Sequence, residues 1–183
     1  LAYMFDVLMK IYESYGYTTR EAVASIVENN LYGLDIDDRA AQMAYFAVMM
    51  KARQYDRRFF NRKDENGNIK VLQPHVYAIV ESSHTDKEGK AQKNYDEFAL
   101  SYFCDGNAKL KAAMDTIISE LYDAKEYGSI LTITSQDWSA LYDRFTEIAE
   151  DINMFRDTVL MELLPLVQVA EALAQKYDVV VTN

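Results

Sequence analysis

The passage that most narrows what this chain can fold into is Asn30-Leu-Tyr-Gly-Leu-Asp-Ile-Asp-Asp38. A short apolar run closes on carboxylates, and a helical stripe that includes Ala41, Tyr45, Val48 and Met49 follows at once. The spacing predicts a long helix from about Asp38 to Phe60, and an acidic first turn suits the positive end of its dipole. Strand, tight turn and helix in that order make the βα unit of an α/β sheet. In open α/β sheets ligands sit beyond the carboxyl ends of the strands. Asp35 stands there, placed to accept hydrogen bonds from both hydroxyls of a ribose, and an ionised acceptor roughly doubles the strength of such bonds. Asp37 or Asp38 would then cap the helix. A turn-and-cap role for all three carboxylates is the competing reading.

Around this unit the pattern is mostly helical. Leu1, Phe5, Leu8, Tyr12 and Tyr15 predict a helix over residues 1–15, and Thr18 or Thr19 can cap a second through about Glu28. Asn61–Lys70 reads as a polar loop; its Asp64-Glu-Asn-Gly-Asn68 lacks the ligand spacing and closing Glu of a calcium loop. A second strand is expected over Val76–Val80, entered through Pro74, and a charged loop over Ser83–Lys93. Leu110, Met114, Ile117 and Leu121 mark a helix. Trp138, Leu141, Phe145, Ile148, Ile152 and Phe155 alternate spacings of three and four, an a/d-type seam. Val159, Leu163, Val167, Ala170 and Leu173 mark another helix, with a kink or restart expected at Pro165. A last strand is predicted over Asp178–Thr182. The fold class is therefore α/β and helix-dominated, with few parallel strands. Its parts are a first piece of the core (1–82), a mainly helical insertion (83–176) and a closing strand (177–183). Leu1 opens inside a helical pattern with no cap before it, and the β-branched run ends on Asn183 without a turn. Both ends read as trimmed.

Composition closes off other classes. Of 183 residues 50% are hydrophobic, too many for a disordered chain. No stretch approaches the roughly 20 apolar residues of a membrane helix, so no membrane partner is expected. One cysteine allows no internal disulfide, and with no signal-peptide pattern a cytoplasmic location is expected. Cys104, without a cationic neighbour, reads as buried and inert. His75 and His84 flank a predicted strand with no third ligand beside them, so no metal site is expected. Gly16, Gly33, Gly67, Gly89, Gly106 and Gly128 stand too far apart for a phosphate-cradling loop. Lys51–Lys63 holds six of the 19 cations with interleaved aromatics. Phosphate-backbone contact is conceivable, but cations at a helix C-terminus with aromatics in the core is the favoured reading. A net charge of −10 also argues against strong DNA binding by these residues alone.

Gly33-Leu-Asp-Ile-Asp37 and Tyr177-Asp-Val-Val-Val-Thr-Asn183 together resemble the amino-methylating, S-adenosylmethionine-dependent DNA methyltransferases. There a G-[VIL]-[DE]-[IL]-[DN] segment ends one strand, and a later apolar strand leads into Asn-Pro-Pro-Tyr; here the match stops at the Asn. The run NNLYGLDIDDRAAQMAYFAVMMKARQY, with FDVLMKIYESYGY upstream, is similar to the PglX-like adenine methyltransferases of bacterial phage-defence (BREX) systems. The likeness covers most of the first 60 residues and the last seven, and is loose between them apart from LYDAKEYGSIL.

The resemblance implies an incomplete Rossmann-like methyltransferase core, with the glycine-rich cofactor loop just before Leu1. It implies that Asp35 binds the ribose of S-adenosylmethionine and that Ile36 packs on its adenine. Asp123 would contact that adenine, although a carboxylate in an ordinary turn explains it as well. Asn183 would hold the exocyclic amine of an adenine extruded from DNA, with proximity and orientation supplying much of the acceleration. DNA would be met through a longer parent protein that marks DNA in restriction or phage defence. No metal is implied. Two other readings stand beside this one: a non-enzymatic helical interaction module built on the Trp138–Phe155 seam, and an NAD-type dinucleotide enzyme using Asp35 on its ribose.

Overall fold

The computed structural model of the chain, which describes residues 1–64 and 66–182, divides into two units, Leu1–Ala78 and Ile79–Asn183. In the first, helix α1 (Ala2–Ser14) buries Phe5 and Met9. Helix α2 (Thr19–Ser25) begins at a reciprocal cap: the Thr18 hydroxyl accepts from the Glu21 amide, and the Glu21 carboxylate accepts from the Thr18 amide. The chain then passes through a π turn (Ile26–Asn30) into strand β1 (Tyr32–Asp35). Helix α3 (Asp38–Tyr55) follows, and strand β2 (His75–Ala78) lies parallel to β1 with Tyr32 opposite His75 and Asp35 opposite Ala78. Strand, crossover helix and parallel strand form the expected βα arrangement and its return. Phe5, Ile26, Val27, Leu31, Val48, Ala52 and Phe59 fill the core under it.

Two boundaries in this unit differ from expectation. Helix α3 stops at Tyr55 rather than Phe60, because Asp56 turns to extended backbone. Its carboxylate accepts from the Arg58 amide at 2.9 Å and pairs with Arg62 at 3.1 Å, offering the chain a turn in place of another helical round. Phe59 still reaches the core from the short 3₁₀ turn Phe59–Asn61. Strand β2 also starts one residue early and ends two early, so His75 lies inside it rather than before it.

The second unit opens on an antiparallel hairpin, β3 (Ser83–Thr85) with β4 (Ala91–Lys93), where a charged loop was expected. Asp86 makes the turn, its carboxylate accepting from the amides of Glu88 and Lys90 at 2.9 Å each, and Gly89 takes a φ of +80°. Glycine holds that conformation without the strain a side chain brings. Helices α4 (Glu97–Cys104), α5 (Ala108–Glu120), α6 (Ala124–Tyr127) and α7 (Trp138–Glu150) follow. Asp96, Asn107 and Asp137 cap α4, α5 and α7 through side-chain oxygens. Arg144 of α7 donates to the carbonyls of Tyr102 and Phe103, satisfying the C-terminal end of α4. Phe103, Met114, Ile117, Leu121, Leu141, Ile148 and Leu163 are buried together in this unit.

The last helical stretch runs as α8 (Arg156–Thr158), a π turn (Val159–Leu163) and α9 (Leu164–Ala174). The restart expected at Pro165 is present, with the proline in the first turn of α9, where its missing amide is least costly. The seam through α7 is shorter than its spacing suggests. Leu141, Phe145 and Ile148 are buried, but the helix ends at Glu150 and Ile152 is 100% exposed.

The last strand expected over Asp178–Thr182 does not form: these residues are non-helical, unpaired chain, and Val179, Val180 and Val181 are 70–72% exposed. A β-branched run favours a pleated, half-covered surface rather than an extended backbone as such. No strand among the described residues supplies that surface here. The helix-dominated α/β class holds, on one parallel pair and one hairpin among the described residues.

Candidate functional site

Asp35 and Asp37 divide the work at the carboxyl end of β1. Asp37 is the N-cap of α3, one carboxylate oxygen accepting from the amides of Arg39 at 2.7 Å and Ala40 at 3.0 Å. Asp35 Oδ1 accepts from the Asp37 amide at 2.9 Å, which tightens the turn. Among the described residues Asp35 Oδ2 has no partner, and the side chain is exposed. Ile36, between them, is 51% exposed. A shallow depression of about 320 Å³ lies in the same unit, lined by Asp38, Ala41, Gln42 and Tyr45 of α3 and Val76 and Ala78 of β2. Asp35 and Ile36, consecutive in sequence, are both exposed at the carboxyl end of β1.

Asp123 lies in the second unit and is already occupied. It takes a left-handed φ of 50° just after α5, and its amide donates to the Ser83 carbonyl. Oδ1 accepts from the Thr85 amide at 2.9 Å and Oδ2 from the Thr85 hydroxyl at 3.2 Å. Ser82, fully buried, donates its hydroxyl to the Ile118 carbonyl at 2.6 Å, so the end of α5 and β3 are strapped together. Further binding at Asp123 would use the remaining lone pairs of its carboxylate. Asn183 lies outside the described residues.

The other singled-out groups take structural places. His75 Nε2 donates to the Glu28 carbonyl at 2.9 Å, and Nδ1 lies 2.9 Å from the Tyr77 hydroxyl. The ring also stacks on Tyr32 at 4.6 Å. His84 sits in β3 with Nδ1 3.7 Å from Glu81. Cys104 is buried as expected, and burial pushes its thiol pKa up. In the basic run, Lys51 pairs with Asp6 and Arg62 with Asp56, while Phe59 is buried and Phe60 is partly exposed. Gln42 and Tyr45 line the depression beside β2, a place that no motif in the sequence marks. Tyr45 donates to Gln73, and burial raises its pKa. Their only signal is the i, i+3 spacing that puts them on the face of α3 turned to the strands.

Residues 29–183 match the Eco57I restriction-modification methylase family. The chain is 35% identical over 187 residues to the adenine-specific methyltransferase BrxX of Escherichia coli O9:H4 (strain HS), a match covering 98% of the chain and 15% of that protein. It is 32% identical over 194 residues to the adenine-specific methyltransferase PglX of Lacticaseibacillus casei (strain Zhang), covering 100% of the chain and 14% of that protein. The chain therefore spans about a seventh of the length of each of these relatives. With most of its residues inside the match and a strand–turn–helix unit in the matched part, the chain belongs to the Eco57I restriction-modification methylase family.

Proposed function

We propose that the protein containing these residues transfers a methyl group from S-adenosylmethionine to the exocyclic amine of adenine in DNA, marking DNA in restriction or phage defence. The observation that carries this reading is the partner-free oxygen of Asp35 at the carboxyl end of β1, with Ile36 exposed beside it. When bound, S-adenosylmethionine supplies an electrophilic methyl group. Asp35 accepts from the two ribose hydroxyls, each bond strengthened by its negative charge. Ile36 covers one face of the adenine ring. Asp37 keeps the turn in place by capping α3, so that Asp35 is presented without rearrangement. Asp123 is assigned to the cofactor's adenine through its remaining lone pairs, and Asn183 to the amine of the target base. The net charge of −10 leaves most of the DNA affinity to other parts of the protein.

A nicotinamide dinucleotide would use Asp35 in the same way, and family membership favours the methyl donor over it. The test is product analysis. Full-length protein is incubated with S-adenosylmethionine and duplex DNA, and the digested nucleosides are separated by mass spectrometry. N6-methyladenine that depends on the donor is expected. Methylated cytosine alone, or no methylated base, would contradict the proposal.

A further inference from the structure

Helix α3 exposes large apolar side chains on the face turned away from its core. Ala41, Val48, Met49 and Ala52 are buried, which fixes the rotation of the helix. Met43, Phe46 and Met50 are left 72%, 64% and 46% exposed. Their spacing is i, i+3 and i+7, so each neighbours the next along one line of the helix surface. A contiguous apolar stripe with polar edges marks an interaction surface, and methionines adapt to a partner's shape.

The edges of the stripe carry charge of one sign. The polar residues three or four positions from these side chains are Arg39, Gln42, Arg53 and Gln54, with no carboxylate among them. That is notable in a chain whose net charge is −10. Among the described residues neither the Arg39 nor the Arg53 guanidinium has an ion-pair or hydrogen-bond partner, whereas Lys51 is held by Asp6 of α1. The two arginines bracket the stripe about 21 Å apart along the helix axis.

Shape and charge together select the occupant. A line of side chains at i, i+3 and i+7 is the seam against which another helix packs. A second copy of α3 would set arginine against arginine whether it ran parallel or antiparallel. Duplex DNA would satisfy the arginines and leave three large apolar side chains facing phosphates. A helix with an apolar seam and a carboxylate near each end satisfies both features. These residues account for only 15% and 14% of the length of the relatives, so most of such a protein lies outside them. A segment tethered in the same polypeptide meets its site at an effective concentration of about millimolar. We propose that Met43, Phe46 and Met50 seat, between Arg39 and Arg53, an acidic amphipathic helix from elsewhere in the full-length polypeptide. This inference is independent of the methyl-transfer reading.

Methionine oxidation tests it, since dilute hydrogen peroxide attacks thioethers according to their access to solvent. Full-length protein is oxidised together with an unstructured methionine-containing peptide, and each site is followed by peptide mapping. Met43 should react about tenfold more slowly than the reference peptide, at every protein concentration. Reversing both charges, with Arg39→Glu and Arg53→Glu in one variant, should bring Met43 within about twofold of the reference and speed Met50, while the rate at Met161 of the second unit stays unchanged. A reference-like rate at Met43 in the unmodified protein would overturn the proposal. So would protection that falls on dilution, protection seen only after adding duplex DNA or anionic vesicles, or protection that the charge reversal leaves intact.

Discussion

Two carboxylates two residues apart, Asp35 and Asp37, are set different tasks by the turn they share. Asp37 satisfies amides of the first turn of α3, so Asp37→Ala should lower stability by about 1 kcal/mol, as loss of an N-cap does. That is readable as a lower urea midpoint. Asp6 gives a pH test. Hydrogen bonds from Lys51 and Tyr55 hold its carboxyl below the usual carboxylate range. A carboxyl whose folded pKa is depressed adds stability above its unfolded pKa, and that stability is lost as pH falls through the folded value. Stability should therefore decline on acidification below about pH 4, and Asp6→Asn should flatten that limb in denaturant titrations followed across pH. The turn at Asp35 and the helix start after it were legible in the sequence because the hydrogen bonds that form them span only two or three residues. The ties of Asp123 were not, because its partner Thr85 lies 38 residues away and spacing along the chain says nothing about it.

At the scale of elements, the sequence signals that were read correctly are those with a local cause. Thr18, one of the two threonines expected to cap α2, does so, with Glu21 completing a reciprocal cap that was not expected, and Pro165 marks a helix start because it has no amide to give. The β3–β4 hairpin was missed because its strands are three residues each and its charged side chains obscure the Asp86–Gly89 turn. Strand 178–182 was expected from β-branched composition, which describes a preference for a covered sheet surface that the described residues do not supply. The α7 seam shows how periodicity overruns an element. Ile148 is buried and Ile152, one step on in the same pattern, is in solvent because the helix has ended. Ile148→Ala should accordingly lower the unfolding free energy by about 2–4 kcal/mol, the cost of a large-to-small change in a packed core. Chemical denaturation followed by circular dichroism would measure it.

At the scale of the molecule, two units have separate cores. The first carries the parallel strands and Asp35, and the second carries most of the helices and the hairpin. Among the described residues no helix is long and apolar enough to cross a membrane. The proposed function has Asp35, at the carboxyl end of β1, hold the ribose of S-adenosylmethionine. Calorimetric titration of S-adenosylmethionine into the full-length protein and its Asp35→Ala variant tests this most directly. Loss of a charge-assisted contact of about 1.5–3 kcal/mol predicts affinity weaker by roughly 10- to 100-fold in the variant, with an unchanged melting temperature. Equal affinity in the two proteins would contradict the assignment of Asp35 to the ribose.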